Sequence, residues 1–460
     1  MRGKEILTQA SEALKNESSL SPELKLIMSS LVEFSSLLLN HVGLNSSNSS
    51  VPPSKDPHRE RKSSTATGHK CKPGAQRGHV GNYLMPSEKP DEIEQIYIDK
   101  KSLPLGKYEQ AGFEKRQIFD INVSVHVKEY QAEILVNLQG EKFVADFPSG
   151  VTKQTQYGAS VKTTSVFLSQ AQMIPLNRIR ECFQEQFNLP LSKGSVSNFN
   201  LLAYKKLEYF QEWAEIQLFI SPTLNSDETG INIGGKQQWL HCLSTPKYTL
   251  FHVDEKRGKE AMDRMGVLPE YEGTIIHDGW RPYFKYQNCI HSLCNAHHLR
   301  ELECAYIQYN QKWAGKMQSL LLQMNEETKA AGGCLSIERA KKLRSKYRRL
   351  LKIANAECPA NPTSRAQTKP RNLLVRLMEF EDATLRFMED FDVPFTNNAA
   401  ENDIRMTKVQ QKISGCFRSL EGAKIFCRIR SYLITCRKHS INSTEALKLL
   451  FEGKLPDFMT

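Results

Sequence analysis

Three acidic residues, each at the end of a predicted element, constrain the fold of this chain more than any other feature. Asp227 and Asp278 each stand where a β-type run ends in a turn. Glu401 stands about one turn into a predicted helix that Asn397 or Asn398 caps. One acid alone is weak evidence, because the first turn of a helix favours acids. Two strand-end aspartates and a later helical glutamate together indicate a carboxylate site for divalent metal.

The runs around the two aspartates predict the order of a mixed sheet over residues 216–300. Three strands, a helix and a fourth strand follow one another, which is the ribonuclease H-like order. In that order the first and fourth strands lie side by side, so their ends bring two carboxylates together. The predicted strands are 217–220, leading through Pro222 to Asp227, then 239–243, 248–253 and 273–277, with a helix over 259–265.

Each acid has a competing interpretation. Asp227 is also placed to cap a turn, and Glu228 beside it competes for the same role. Asp278 precedes a glycine, as aspartates in turns often do. Asp403 follows Glu401 by two residues, which turns it roughly 200° around a helix, so that only one of this pair faces the site.

The bulk properties bound the class of protein. With 460 residues the chain is long enough for two or three domains. Its net charge of +11 favours nucleic acid or another polyanion as a partner, although general solubility also explains such a charge. No run approaches the ~18 apolar residues of a membrane span, and the N-terminus lacks the apolar core of a signal peptide. The 11 cysteines are scattered and odd in number, which favours reduced thiols in the cytoplasm.

Residues 1–40 are predicted to be helical, with a leucine-zipper-like seam that Pro22 interrupts upstream. Such a seam either pairs two protomers in a short coiled coil or packs against its own domain, and the sequence favours neither. The seam residues are Leu24, Ile27, Leu31, Phe34 and Leu38.

Residues 41–90 form a polar, turn-rich and flexible segment with too few apolar groups for a core. Its charges are nearly all of one sign. This favours a contact with the DNA backbone that becomes ordered on binding over a solvated linker. The basic residues concerned are Arg59, Arg61, Lys62, Lys70, Lys72 and Arg77.

Residues 91–165 alternate like strands and predict a small β-rich domain. The chain has no cysteine between Cys71 and Cys182, so a zinc ribbon cannot form here from the segment's own ligands. The predicted strands lie at 117–121, 126–132 and 141–145.

Helical segments flank the predicted sheet. Residues 166–215 predict a helix, a turn at Pro190 and a capped helix, which suits a DNA-reading helix-turn-helix but is common in any helical bundle. Residues 301–390 are highly charged and predict a helical insertion between the second aspartate and the glutamate. Residues 391–460 close the core with the helix of Glu401 and one further helix.

Two other sets of residues are candidates for binding. His291, Cys294 and His298 would share one face of a helix, where they either bind zinc or pack and hydrogen-bond inside the fold. The sequence favours a site near Asp278 that positions DNA or the scaffold over a zinc site. Basic residues after Glu401 either hold phosphates or form a solvated basic face. They are Arg405, Lys408, Lys412, Arg418, Lys424, Arg428 and Arg430.

Together these stretches resemble the insertion-sequence-66 (IS66) family of bacterial DDE transposases. The resemblance spans nearly the whole chain, and its motifs stand in the family's order. It is carried by residues 43–50 with Pro52 and Pro53, by 227–230, by 277–280 with 294–297, and by 397–401 with Arg405, while 415–419 with 422–423 also fits.

The resemblance implies a ribonuclease H-like core whose DDE triad falls on Asp227, Asp278 and Glu401. Two Mg²⁺ (or Mn²⁺) ions are expected there, with Asp227 bridging them. It also implies action on the ends of a mobile element, a homo-oligomer, and small accessory proteins of the same element. Many members carry a cysteine zinc module where residues 100–147 have none. Either that module folds here without metal, or recognition of the DNA ends is altered.

The sequence therefore predicts an α+β multidomain protein. An N-terminal helix, a basic linker and a small β-rich and helical DNA-binding region precede a ribonuclease H-like α/β core with a helical insertion. The expected activity is metal-dependent DNA cleavage and strand transfer in the bacterial cytoplasm, at the nucleoid and without a membrane. The alternatives are a transposase remnant that binds element ends without catalysis, and a structure-selective nuclease.

Overall fold

The computed structural model describes residues 2–17, 19–42, 84–361 and 367–460 of the protein. The basic residues predicted at 59–77 therefore lie outside the described residues. The helices are α1 Arg2–Asn16, α2 Pro22–Val42, α3 Ala159–Val166 with a π-helical turn Phe167–Ala171, α4 Leu176–Phe187, α5 Lys193–Lys206, α6 Glu208–Phe219, α7 Lys259–Asp263, α8 Asn295–Tyr309, α9 Lys312–Ala330, α10 Ile337–Glu357, α11 Lys369–Glu379, α12 Glu381–Leu385, α13 Asn398–Ser414, α14 Leu420–Lys438 and α15 Ser443–Glu452. The strands are β1 Ile134–Val136, β2 Lys142–Val144, β3 Thr223–Ile233, β4 Lys236–Ser244, β5 Thr249–Asp254, β6 Thr274–His277 and β7 Ile290–Leu293.

The centre of the fold is a mixed five-stranded sheet in the order β5-β4-β3-β6-β7. Strands β3, β4 and β5 pair antiparallel, whereas β6 pairs parallel with both β3 and β7. Gly234 and Gly235, with φ angles of 57° and 86°, form the two-residue turn between β3 and β4, which requires positive φ. The predicted strands at 239–243, 248–253 and 273–277 are confirmed. The first and fourth strands of this region, β3 and β6, lie side by side, although β3 is not the strand predicted at 217–220.

The predicted strand at 217–220 is wrong. These residues are the end of α6 and the residue after it. Ala214 and Leu218 are both buried and stand four residues apart, which is the spacing of one helix face. Helix α6 ends at Phe219, and β3 begins directly after Pro222. Asp227 therefore lies inside a strand rather than at a strand end.

Alternation along the strands gives the sheet two buried faces. One face carries Ile231, Cys242 and Phe251, and it packs with apolar side chains of α13 and α14. The opposite face carries Leu224 and packs with α6 and the segment after β5. Because side chains alternate with a period of two, Asp227 belongs to the first face, which we call the α13 face.

The region between β7 and α13 is mainly helical, as predicted for the insertion. Helices α8, α9, α10 and α11 share an apolar core in which Trp313 and Tyr347 are fully buried. Ile276 of β6 belongs to the same core. The insertion therefore packs directly against the strand that precedes Asp278.

The strand content of residues 91–165 is lower than predicted. Strands β1 and β2 form a short antiparallel hairpin that overlaps the predicted strand at 141–145. The predicted strands at 117–121 and 126–132 are wrong. Ile118 and Ile121 are 89% and 91% exposed, because apolar alternation stabilises a strand only where a partner strand and an apolar layer exist.

The helical parts before the sheet follow the predicted pattern. Helices α1 and α2 are separated just before Pro22, and the five seam side chains of α2 are between 45% and 65% exposed. Helix α4, a turn and α5 are present, and the Ser192 hydroxyl caps α5 by accepting a hydrogen bond from the Ser195 N–H at 2.9 Å. In the described part of the chain, every helix is too short or too polar to cross a membrane.

Replacing Trp313 by alanine removes the largest buried side chain of the insertion core. We expect Trp313→Ala to lower the free energy of unfolding by about 3–5 kcal/mol, through lost burial and the cavity that remains. Urea unfolding followed by circular dichroism measures the change. Leu322→Ala on the same helix is the control, since Leu322 is 42% exposed and should cost less than about 1 kcal/mol. Equal losses in the two variants would contradict the insertion core described above.

Candidate carboxylate site

Asp227 lies in the middle of β3, at the point where the strand loses one of its two partners. The last residue pair between β3 and β6 is Asn225 with Ile276, whereas pairing with β4 continues and sets Asp227 opposite Cys242. Its carboxylate accepts a hydrogen bond from the backbone N–H of Glu228 at 2.9 Å. Within the described ranges no Lys, Arg or His forms an ion pair with Asp227.

Glu228 does not compete with Asp227 for one position. Alternation along β3 turns Glu228 to the opposite face, where Arg257 donates two hydrogen bonds to its Oε1 at 3.0 and 2.6 Å. Arg257 also stacks on Trp239 and Trp280, with its guanidinium carbon 4.7 and 4.1 Å from the ring centroids. Glu228 is thus a structural ion-pair partner, and Asp227 remains the free acid of this pair.

Asp278 directly follows β6, as predicted. The parallel register of β3 and β6, continued by two residues, places it level with Asp227 and on the α13 face. Its Oδ1 accepts a hydrogen bond from the Trp280 N–H at 2.8 Å, and Gly279 between them has a φ of 88°. This turn needs both an aspartate that bonds the backbone and a glycine that accepts positive φ.

Asn397 joins the helix of Glu401 to β3. It is 1% exposed, its amide donates to the Ser226 carbonyl at 2.7 Å, and it accepts a hydrogen bond from the Asn225 amide at 2.9 Å. Its own carbonyl accepts from the Glu401 N–H at 3.2 Å. Asn397 is the N-cap residue of α13, as predicted, but its side chain makes no capping hydrogen bond because it bonds the neighbouring strand instead. These bonds hold Glu401 one helical turn from the strand that carries Asp227.

Two side chains from the start of α8 lie beside Glu401. The Nε2 of His297 and the Sγ of Cys294 are each 3.7 Å from its Oε1. Burial lowers the pKa of His297, whereas the charges of Glu401 and Asp278 raise it. Both acids therefore lie close enough to act on the same imidazole.

The environment of Asp227 connects all three predicted acids. Burial is the largest cause that raises the pKa of Asp227 well above its usual value. The negative charges of Glu228, Glu401 and Asp278 raise the pKa further. The fold thus brings Asp278 and Glu401 close enough to Asp227 to disfavour its charged form, although the sequence separates Asp227 and Glu401 by more than a hundred residues.

Asp403 faces away from this cluster, as its two-residue offset from Glu401 predicts. Its Oδ2 accepts hydrogen bonds from Ser244 and Thr249 at 2.7 Å each and from Lys438 at 2.8 Å. Asp403 therefore ties α13 to two strands and to α14, and it stabilises the position of the helix rather than the acid cluster.

The second candidate set does not lie on one helix. His291 is in β7, Cys294 precedes α8, and His298 is buried with its Nδ1 3.2 Å from the Asn295 amide oxygen. The prediction of one shared helix face is therefore wrong, because the strand β7 separates His291 from the rest. Among all residues that the structure describes, no three His, Cys, Asp or Glu side chains are arranged to hold one metal ion.

The family comparison agrees with this geometry. The family model described as "Transposase IS66 family" matches residues 154–425, which is more than half of the chain and includes all three predicted acids. The chain belongs to the IS66 transposase family. No curated protein matches it. The protein is therefore a transposase, a class of enzyme that acts on DNA.

The basic residues that follow Glu401 in this transposase divide into two groups. Arg428 donates to the Gln211 side chain at 2.7 Å and to the Tyr204 carbonyl at 3.0 Å, so it joins α14 to α5 and α6. Arg430 is 2% exposed, and burial lowers its pKa to about 10. Arg428 and Arg430 therefore neither form a solvated basic face nor reach a phosphate at the surface. Both predicted roles are wrong for these two residues. Lys408 donates to the Gly230 carbonyl at 2.7 Å, whereas Arg405, Lys412, Arg418 and Lys424 are exposed.

The contribution of Asn397 can be measured against its neighbour. We expect Asn397→Ala to lower the free energy of unfolding of the transposase by about 1–3 kcal/mol, because buried polar groups of β3 lose their partner. Asn398→Ala is the matched control, since Asn398 is the next residue, has the same side chain and is exposed. Urea unfolding of both variants gives the difference, and similar stabilities of the two would contradict the tie between α13 and β3.

The raised pKa of Asp227 predicts a pH-dependent stability difference. Between the usual pKa and the raised one, the folded protein holds a proton that the unfolded chain has lost, so stability falls as pH rises through this window. Asp227→Asn has no titrating carboxyl at this position, so it lacks this loss of stability. We expect the variant to have a higher urea midpoint than wild type near pH 7 in EDTA, and an equal one below about pH 4. A variant less stable than wild type at both pH values would contradict the assignment.

Proposed function

We propose that Asp227, Asp278 and Glu401 are the catalytic carboxylates of this transposase, and that it cleaves and joins DNA by DDE chemistry. One observation carries the proposal. Asp227 has no cationic partner within the described residues, and its pKa is raised by burial, by Glu228 and by the two other predicted acids, Glu401 and Asp278. A stable fold normally pairs a buried carboxylate with a cation, so a buried acid without such a partner and close to two further acids is typical of a functional site.

The donor chemistry fits divalent metal. Mg²⁺ prefers carboxylate oxygens and needs only one or two of them for each ion, since it keeps several waters. Asp227 and Asp278 would hold one ion, and Asp227 and Glu401 the other. When bound, two such ions supply an activated water or hydroxyl and stabilise the leaving oxygen. Mn²⁺ has the same ligand preference.

The reaction would proceed in two displacements at the same phosphodiester site. Water first breaks the bond between phosphorus and the 3′ oxygen at the element's end, which leaves a 3′-hydroxyl. That hydroxyl then attacks a target phosphodiester, forms a new phosphorus–oxygen bond and releases the target's own 3′-hydroxyl. Asn397 would keep Glu401 in place through both steps by its bonds to β3.

The rest of the chain would serve DNA binding and assembly. The sheet with α13 and α14 would form a ribonuclease H-like core from residues 216–300 and 391–460, and residues 301–390 would be its insertion. The strand order β5-β4-β3-β6-β7 supports this.

Residues 166–215 would read DNA as a helix-turn-helix, with 91–165 as a separate module. The exposed seam in residues 1–40 would pair two protomers, and accessory proteins of the element would join them in the bacterial cytoplasm. Backbone phosphates would contact the segment 41–90 at Arg59, Arg61, Lys62, Lys70, Lys72 and Arg77, and the core at Arg405, Lys412 and Arg418.

The test is a cleavage and joining assay on DNA that carries the element's own ends. We expect wild type to nick and join in Mg²⁺ and to do neither in EDTA. Asp227→Asn, Asp278→Asn and Glu401→Gln should each reduce cleavage by at least about a hundredfold, since even outer-shell partners of a metal site cost 10–100-fold. The control Glu421→Gln removes an exposed acid from the first turn of α14 and should leave the rate unchanged.

A second readout separates metal binding from catalysis. Mg²⁺ should raise the melting temperature of wild type and of Glu421→Gln, but not of Asp227→Asn, because only a folded site with its acids binds the ion. Binding of the ends without metal-dependent nicking, once accessory proteins are supplied, would replace the proposal with a non-catalytic end-binding protein. Cleavage without joining, on ends of any sequence, would indicate a structure-selective nuclease.

A further inference from the structure

Helix α10 of the insertion carries an unusual surplus of positive charge. Its 21 residues include eight Lys or Arg and only two Glu. One face of the helix is apolar and buried in the insertion core, formed by Ala340, Leu343, Tyr347, Leu351 and Ala354. The question is how the remaining faces use their charge.

Three arginines of α10 are paired with acids. Arg339 donates to both carboxylate oxygens of Glu327 on α9, at 2.7 Å each. Arg344 and Arg348 both bond Glu381 at the start of α12, at 2.9 Å. These arginines fasten α10 to its neighbours, so their charges are neutralised within the fold.

The other five basic residues form one continuous surface. At about 100° per residue they fall within an arc of roughly 140°, and the centre of this arc lies opposite the buried face. They extend over about 16 Å of helix at 1.5 Å per residue. All five are exposed, and none forms an ion pair with a carboxylate in the described part of the chain. They are Lys341, Lys342, Lys346, Arg349 and Lys352, which we call the α10 basic face.

Few acids oppose this face. Glu338 is the one acid of α10 within the same arc, and it is exposed. Glu327 on α9 is close enough for Lys346 to contribute to lowering its pKa to about 2, but hydrogen bonds from Arg339 are the largest cause. The face therefore keeps a net positive charge of several units. These charges do not stabilise the fold through ion pairs in the described part of the chain.

We propose that the α10 basic face binds the phosphate backbone of duplex DNA. The five cations share this arc with one acid, Glu338, and one large exposed apolar residue, Ile353. A protein partner would need a larger apolar centre, so the surface fits a polyanion better. Lysines on an exposed helix contact phosphates rather than base edges, so this surface adds affinity without sequence preference. The insertion packs through Ile276 on β6, the strand that precedes Asp278, so DNA held at this face would add affinity to DNA held at the acid cluster. That last point rests on the proposed function; the binding itself does not.

Adjacent arginines provide a matched pair for the test. Arg349→Gln removes a charge from the α10 basic face, while Arg348→Gln removes the same charge one residue away from a side chain paired with Glu381. Binding is measured by fluorescence anisotropy with a short labelled duplex of arbitrary sequence, in EDTA, over roughly 50 to 200 mM salt. We expect Arg349→Gln to weaken binding up to about tenfold at the low-salt end, and Arg348→Gln to leave it unchanged.

The triple variant Lys342→Gln, Lys346→Gln, Arg349→Gln gives the larger signal. The slope of log affinity against log salt should fall by about 0.9 for each lost phosphate contact. An affinity and slope equal to those of wild type in this variant would overturn the proposal, provided its melting temperature matches wild type. Equal losses in Arg348→Gln and Arg349→Gln would overturn it as well, since they indicate a general charge effect. Because EDTA prevents cleavage, a loss confined to the α10 basic face stands even if the transposase proves not to cleave.

Discussion

The parallel pairing of β3 with β6 is the constraint on which the candidate site depends. Its register sets Asp227 level with Asp278 and turns both side chains to the α13 face. A slip of one residue would send one of the two carboxylates to the opposite face of the sheet. Asn397 stabilises this arrangement from outside the sheet. Its side chain forms two hydrogen bonds with β3 and so holds the first turn of α13 against that strand.

The fold treats its buried acids in two different ways. Glu228, Asp254 and Asp403 are each bonded to a basic side chain, namely Arg257, Arg264 and Lys438. Arg264 beside Asp254 accounts for much of the fall in that carboxyl's pKa to about 2, against the opposing effect of burial. Asp227 is the exception, since no basic side chain in the described part of the chain bonds it while burial and neighbouring acids raise its pKa. Such an arrangement reduces stability, and it persists because the surrounding pairs fix the backbone that holds it.

The sequence predicted the parts of the fold that local patterns determine. Asp278 after a buried strand, the helix of Glu401 and the outward turn of Asp403 follow from apolar runs and from helical geometry. The position of Asp227 within β3 was not predictable, because the apolar residues 217–220 fit a strand as well as the end of a helix. The tie made by Asn397 to Asn225 joins residues 172 apart, and no local pattern indicates such a contact. Arg428 and Arg430 looked like surface charges for the same reason, since burial depends on neighbours from distant segments.

The long insertion between Asp278 and Glu401 has a consequence for synthesis of the protein. A ribosome completes both aspartate-bearing strands well before it reaches α13, and the insertion can assemble its own core in that interval. Asn397 and Glu401 are added only after the insertion, and α14, whose Lys438 fixes α13 through Asp403, follows them. A chain that ends between α10 and Glu401 therefore carries the sheet and the α10 helix but only two of the three acids. The order of the elements along the chain delays completion of the acid cluster until the whole insertion has been made.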